Sequence, residues 1–369
     1  MSARMSRGRR RTVDVETLAQ LDALVAAGAT SMAGWQLQDL DLRDRGDALR
    51  RLEVRGALLL GCRLDPAVED DLRRRGALVF PTVPDVPVNP YRARLYTPDE
   101  LYDGLGTGSY ADTRDARTYA WAVTTKNDVQ ALLAQTLHDL SVDDALAELT
   151  GGRRLVGVMG GHAATRGSDT YRVAAQLGRE LTRSGLTVAT GGGPGAMEAA
   201  NLGAYLAGRD EAALEEALTQ LAAVPDFAES VTAWAQAAFD VRREWPDGAA
   251  SVGVPTWFYG HEPPNAFAAH VAKYFKNAIR EDVLLHVCTA GVVFLPGRGG
   301  TVQEVFQDAC ENYYADAGAV APMVLVGADF WTRELPVWPL LQSLARGRGM
   351  QRFVHLVDDL DDVAPLLRP

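Results

Sequence analysis

From Arg154 onward, short apolar runs alternate with longer segments of helical period. Leu155–Met159, Thr187–Thr190, Ser251–Trp257, Gly291–Leu295, Pro322–Val326 and Phe353–Val357 read as buried strands. Asp169–Ser184, Gly195–Ala207, Asn265–His286, Thr301–Tyr314 and Phe330–Leu344 read as helices between and after them. This alternation predicts an α/β fold: a Rossmann-like, doubly wound parallel sheet with helices on both faces. Between Gly208 and Trp245 an acidic, alanine-rich helical insert is expected to pack as a cover or an oligomer contact. Ahead of this core, Ala57–Gly61 and Ala77–Phe80 read as strands flanking a helix over Pro66–Arg75, a smaller N-terminal α/β domain.

The ten residues 81–90 (PTVPDVPVNP) exclude helix, because proline lacks the N–H and clashes with the preceding turn. Thr97 followed by Pro98 marks a helix start, and a helical stretch is expected from Thr113 to Glu148. The resulting division is an accessory domain over residues 1–125 and a catalytic domain over residues 126–369. A leucine-rich rhythm runs from Gln36 to Arg63, but its spacing is irregular and no internal repeat is expected.

A chain of 369 residues with 47% hydrophobic and 23% charged positions has the balance of a globular protein of about two domains. Its net charge of −11 argues against nucleic acid or an anionic membrane as partner, yet leaves room for a small anion in a local positive pocket. No apolar run is long enough to span a bilayer. Cys62, Cys288 and Cys310 are too few and too scattered for a disulfide framework or a metal cluster, which fits a reducing cytoplasm. Met1 to Arg11 is basic, no apolar stretch follows it, and it reads as a tail and not a secretory signal.

A doubly wound sheet binds ligands at the carboxyl ends of its strands. Three such ends carry glycine: Gly160 and Gly161 after the first strand, Gly191, Gly192 and Gly193 after the second, and Gly297, Gly299 and Gly300 after a later one. The last two loops run straight into helices, whose free N–H groups and dipole favour a phosphate. Neither G-x-G-x-x-G nor G-x-x-x-x-G-K-[ST] is present, and no acidic residue ends the second strand, so neither a dinucleotide nor triphosphate hydrolysis is expected.

Glu304 is the sharpest single residue, a carboxylate one turn into the helix that leaves the third loop. The competing reading is structural: Thr301 and Glu304 have the spacing of a capping box. Glu198 has the matching place after the second loop. Lys273, Lys276 and Arg280, spaced three and four apart on the expected helix, would share one face. The six histidines show no metal-ligand spacing, and only His162 falls in a ligand-facing loop. No metal and no cofactor is expected.

Two stretches together, TGGGPGAMEAAN (Thr190 to Asn201) and PGRGGTVQE (Pro296 to Glu304), resemble the paired motifs of the Lonely-guy (LOG) family of nucleoside 5′-monophosphate phosphoribohydrolases. His261-Glu262-Pro263-Pro264-Asn265 further resembles the longer bacterial branch, the purine/pyrimidine nucleotide nucleosidases. The resemblance covers about Arg154 to Trp331. It implies hydrolysis of the N-glycosidic bond of an AMP-like nucleoside 5′-monophosphate to free base and ribose 5-phosphate. It also implies Arg280 and Glu304 as the catalytic pair. The substrate would be held by Gly160, Gly161, Gly191, Gly192, Gly193, Met197, Glu198, Gly297, Arg298, Gly299, Gly300 and Thr301.

The sequence departs from the family pattern twice, with Glu281 where the family usually has lysine after the arginine, and Arg298 where it has the second glycine of P-G-G-x-G-T-x-x-E. Arg298 is expected in an ordinary backbone region, its side chain turned toward the ligand or Glu304. A homo-oligomer is expected from the family and from the apolar content around Trp234 to Phe239 and Tyr274 to Phe275. A non-catalytic nucleotide sensor, or a carrier of a phosphorylated cofactor such as a pterin, stays open on the same fold. Pyridoxal-phosphate decarboxylation needs a Schiff-base lysine, and Lys126, Lys273 and Lys276, the only lysines, sit in no suitable motif.

Overall fold

A computed structural model describes residues 13–258, 262–316 and 318–367. The basic segment over residues 1–11 and His261 lie outside the described residues. The chain divides into two compact units. Leu95–Thr124 and the residues from Leu146 onward form the larger; the described residues before Leu95, with Thr125–Ala145, form the smaller. The chain thus passes between the units at residues 94–95, 124–125 and 145–146, where the sequence suggests a single boundary near residue 125.

The smaller unit carries strands β1 (Val13–Val15), β2 (Trp35–Gln38), β3 (Leu58–Leu60) and β4 (Leu78–Phe80), all parallel and in sequential order. Paired residues lie 22, 22 and 20 positions apart: Val13 with Trp35, Gln36 with Leu58, and Leu58 with Leu78. The unit is therefore a short coil of repeats, of the length at which neighbouring turns complete each other's core. This corrects the expectation of no internal repeat. The period is carried by a few positions only. Val15, Leu37, Leu59 and Val79 stack in the core. Gly34, Gly56 and Gly76 precede β2, β3 and β4 at positive φ, and Asp39 and Gly61 repeat a left-handed residue after β2 and β3. The outward residues and helix lengths differ from turn to turn, so they hide it.

The larger unit is the expected doubly wound sheet. Its strands are β5 (Leu155–Met159), β6 (Thr187–Thr190), β7 (Val252–Gly253), β8 (His270–Val271), β9 (Gly291–Phe294), β10 (Met323–Val326) and β11 (Val354–Val357). They are parallel in the order β11-β10-β9-β5-β6-β7-β8. Helices cover both faces, so the central strands are apolar at nearly every position, and Val156, Val158, Val188, Val293 and Val324 are fully buried. Thr97 caps the helix Pro98–Leu101 as expected, accepting from the Glu100 N–H at 3.2 Å. Ser230 and Asp210 likewise cap the two insert helices, Val231–Glu244 and Glu211–Ala222.

Four expected elements are corrected, one of them the helix over Phe330–Leu344, which splits into Phe330–Glu334 and Val337–Ala345. The strand over Ser251–Trp257 shrinks to Val252–Gly253. The stretch Thr113–Glu148 splits into Arg114–Thr124 and Val129–Thr150. The helix expected from Asn265 begins only at Asn277 and ends at Val287. Its first half is edge strand and turn: His270 and Val271 pair with β7, and Asn265 accepts the N–H groups of Phe267 and Ala268 in a local turn.

Consequently Lys273, Lys276 and Arg280 do not share a helix face. Lys273 is 1% exposed. Its ammonium lies 2.7 Å from Asp115, which also accepts from the Trp257 indole at 2.8 Å and the Tyr110 hydroxyl at 2.6 Å. Burial lowers the pKa of Lys273, and the Asp115 carboxylate opposes that shift. A lysine so enclosed and paired is a structural tie, not a Schiff-base nucleophile. Among the described residues no helix is long and apolar enough to cross a membrane.

Candidate active site

The strand order reverses between β9 and β5, and the carboxyl ends of these strands, with that of β6 next to them, carry the three glycine loops. The loops touch. The Gly161 N–H donates to the Pro296 carbonyl at 3.3 Å, and the Ala196 N–H donates to the Gly161 carbonyl at 3.1 Å. Gly195 is at φ 74°, and a Cβ there would come within 2.6 Å of the Gly161 and His162 carbonyls. Only glycine lets the first two loops close on each other in this way.

A buried polar network fixes the second loop. The Thr190 hydroxyl accepts from the Gly192 N–H at 3.0 Å and donates to the Asn201 carbonyl oxygen at 2.7 Å. The Asn265 amide donates to that same oxygen at 3.0 Å and to the Gly193 carbonyl at 3.2 Å, while its backbone N–H donates to Gly192 at 2.8 Å. Asn201 in turn donates to Ser251 at 2.9 Å. All four side chains are wholly buried, so the network sets the loop's shape with every partner supplied from inside. Met197 lies against Gly191 and Gly193, where a Cβ on either would strike its thioether end. Sequence reasoning quoted Asn201 and Asn265 within motifs but assigned them no role. Their pairing crosses 64 residues and leaves no local signal.

The third loop leads into the helix Gly299–Tyr314, whose N-cap is Arg298 and which has no side-chain cap. Thr301 is the third helical residue, packed against Gly297, and Glu304 lies a turn further in. The capping-box reading is thereby removed, since neither side chain stands where a cap must. Around Gly299 and Gly300 there is open space at the Cβ positions, so the helix start presents bare backbone. Arg298 adopts φ −116°, negative as expected, but its ψ of −144° falls outside the α and β regions, which corrects the expectation of an ordinary backbone. Its side chain does not turn inward. It is 75% exposed and pairs with Glu334 at 2.9 Å beside the Phe330 ring. A surface carboxylate within reach outcompetes the buried one, because the guanidinium keeps its hydration there.

Glu198 also departs from its expected role. Its carboxylate is fully buried and held by Arg166, with Arg166 Nε at 3.1 Å from Glu198 Oε2. Arg166 further donates to the Trp234 carbonyl at 3.0 Å and lies over the Trp234 ring at 4.6 Å. These residues line a recess of about 20 Å³ behind the second loop, whose charges are already matched internally. His162 is exposed and lies 3.4 Å from Glu262, which stands beside Gly193. Among the described residues no three His, Cys, Asp or Glu side chains are grouped to hold a metal ion.

Glu304 and Arg280 do come together. One guanidinium nitrogen of Arg280 lies 3.8 Å from Glu304 Oε1 and 3.2 Å from Glu281 Oε2, and it is close to Gly191. Arg280 Nε is buried without a hydrogen-bond partner. Glu304 is 8% exposed. Burial pushes its pKa up to about 8, the nearby Glu281 charge adds to the rise, and Arg280 opposes it. An acid that keeps its proton at neutral pH, a cation with an unspent donor, and an uncapped glycine helix start therefore meet on one sheet edge.

Residues 153–209 match the SLOG cluster4 family. This family belongs to the SLOG superfamily, which includes the LOG proteins. The match spans β5, β6, the first two glycine loops and the helix Ala196–Tyr205. Solved structures that resemble the chain include a molybdenum cofactor binding protein from the phototrophic bacterium Rippkaea orientalis, 18% identical. The likeness covers 58% of this chain and 94% of that one, with a TM-score of 0.35. The Moco carrier protein from Chlamydomonas reinhardtii is 19% identical over 58% of this chain and 97% of its own, also with a TM-score of 0.35. No curated protein matches the chain.

Proposed function

We propose that this chain hydrolyses the N-glycosidic bond of nucleoside 5′-monophosphates, releasing free base and ribose 5-phosphate. The observation that carries the reading is Glu304, a buried acid beside Arg280 and one turn inside a helix whose glycine start is open. On this reading the phosphate sits against the Gly299–Gly300 start and the loop of Gly191, Gly192 and Gly193, where backbone N–H groups and the helix dipole favour a dianion. Met197 and Gly160 and Gly161 complete the floor beneath the sugar. Base loss passes through an oxocarbenium-like state, and protonating the leaving group is the usual task of the carboxyl with the raised pKa. Glu304 gives its proton to the departing base, water then bonds to C1′ of the ribosyl cation and gives a proton back to the Glu304 carboxylate, and Arg280 orients the ribose through its unspent Nε–H. The substrate is a soluble nucleotide of a reducing cytoplasm, and the enzyme works as a homo-oligomer.

A panel of nucleoside monophosphates assayed for free base tests this directly. AMP or a related monophosphate should be cleaved and its nucleoside left nearly untouched, because the remote phosphate positions the reacting sugar. Glu304→Gln should abolish turnover and keep nucleotide binding. Tight binding of a phosphorylated ligand with no base released would instead assign a carrier or sensor.

A further inference from the structure

Glu281 stands where the LOG pattern carries a cation, and it is more deeply buried than Glu304, at 3% exposure. It belongs to the helix Asn277–Val287 and takes the Arg280 guanidinium at 3.2 Å, closer than the 3.8 Å that separates that nitrogen from Glu304. The Asn277 amide donates to its other oxygen at 3.4 Å. Two carboxylates and one guanidinium thus share a buried site, and both cannot carry full charge at low cost. Arg280 lies nearer to Glu281, and Glu304 is the carboxyl whose pKa rises.

We propose that Glu281 is a positioning residue of this site: by holding Arg280 it makes Glu304 the protonated member of a carboxyl pair, so that Glu304 acts as an acid. Burial is the largest cause of the raised Glu304 pKa; Glu281 adds to it and Arg280 opposes it, both from the neighbouring helix. On its own helix the next acid is the buried Asp308, one turn on. The second glycine loop adds no charge, and His162 and Glu262 near it pair with each other. A proton on Glu304 also spares an incoming phosphate monoester the repulsion of a second anion, which offsets the loss of the family's cation.

The kinetic arm of the test rests on the hydrolase reading; the spectroscopic arm does not. Infrared titration of the whole protein follows the carbonyl band of protonated Glu304, identified by its loss in Glu304→Gln. The band should persist to about pH 8 in the parent chain. Glu281→Gln should move its titration down by about one pH unit or more, Glu281→Lys further still, and Glu281→Asp, which keeps the charge, much less. The alkaline limb of base release should move with it. A band that titrates at the same pH in Glu281→Gln or Glu281→Lys as in the parent overturns the proposal. Two substitutions of opposite chemistry keep it testable if one fails to fold. Absence of any base release alongside the expected band shifts would defeat the hydrolase reading and support this inference.

Discussion

On the proposed reading a single carboxyl carries the chemistry, and its protonation has a consequence for stability. The folded chain holds Glu304 at about 8, above the ordinary carboxyl value of 4.5. Between those values the folded state binds a proton that the unfolded state has lost, so stability falls as pH rises through the window. Glu304→Gln removes that dependence. The variant should gain on the parent between pH 5 and 9, on the order of a few kcal/mol, read from urea midpoints at each pH; parallel curves would contradict the raised value. The third loop offers a second residue-scale contrast. Gly297→Ala forces a methyl onto Thr301 and should destabilise by about 1–3 kcal/mol. Gly299→Ala meets open space at the first position of the helix and should stabilise by about 0.4–1 kcal/mol. If the helix start binds phosphate, the same Gly299→Ala should weaken AMP binding several-fold in calorimetry. Unchanged affinity would move the phosphate elsewhere.

Elements were legible where burial made their sequence uniform. β5, β6, β9 and β10 lie where their apolar runs indicate, because both faces are covered and nearly every position is apolar, while β11, half-buried at the sheet edge, shows itself through Val354, Leu356 and Val357. The glycine loops and Glu304 were legible for a related reason: a parallel sheet presents every strand end on one edge. What failed was inference from spacing alone. Lys273, Lys276 and Arg280 have helical spacing, yet the turn at Asn265 and the short β8 take up the first half of that stretch, and Lys273 is drawn inward by Asp115. Thr301 and Glu304 have capping spacing, yet the helix starts at Gly299, three residues earlier than the cap would allow. The buried partners Asn201–Asn265, Arg166–Glu198 and Lys273–Asp115 are distant in sequence and had no periodic signature. The last pair joins the helix Arg114–Thr124 to the strand edge of its own unit. Lys273→Met keeps the volume and strands the Asp115 charge, so it should cost about 3–5 kcal/mol in urea unfolding. A loss under about 1 kcal/mol would mean that the Trp257 and Tyr110 donors satisfy Asp115 without the lysine.

For the whole molecule, the ground for expecting an oligomer moves. Trp234, Tyr274 and Phe275 are buried inside one chain: Trp234 packs with Tyr102 and Leu105, and Phe275 stacks on Trp257 at 4.6 Å. They leave no surplus for a partner. The apolar side chains left in water lie elsewhere. Val129, Leu133 and Leu140 are exposed on the helix Val129–Thr150, at 80%, 55% and 64%. Their spacing of four and seven places them within about 40° of one another around the helix axis. Three large apolar residues on one exposed stripe are more than the scattered singles a monomer surface carries. A stripe of this kind is self-complementary, since two copies related by a two-fold axis bury it in one step. The net charge of −11 on each chain opposes that step through space and is screened by salt. Light scattering at micromolar concentration should therefore give a mass of at least two chains, with association strengthened from low to moderate salt. Leu133→Glu with Leu140→Glu should return the monomer while circular dichroism stays that of the parent. A monomer mass for the parent at all salt concentrations would refute the oligomer, and an oligomer that survives the double substitution would place its interface on another face.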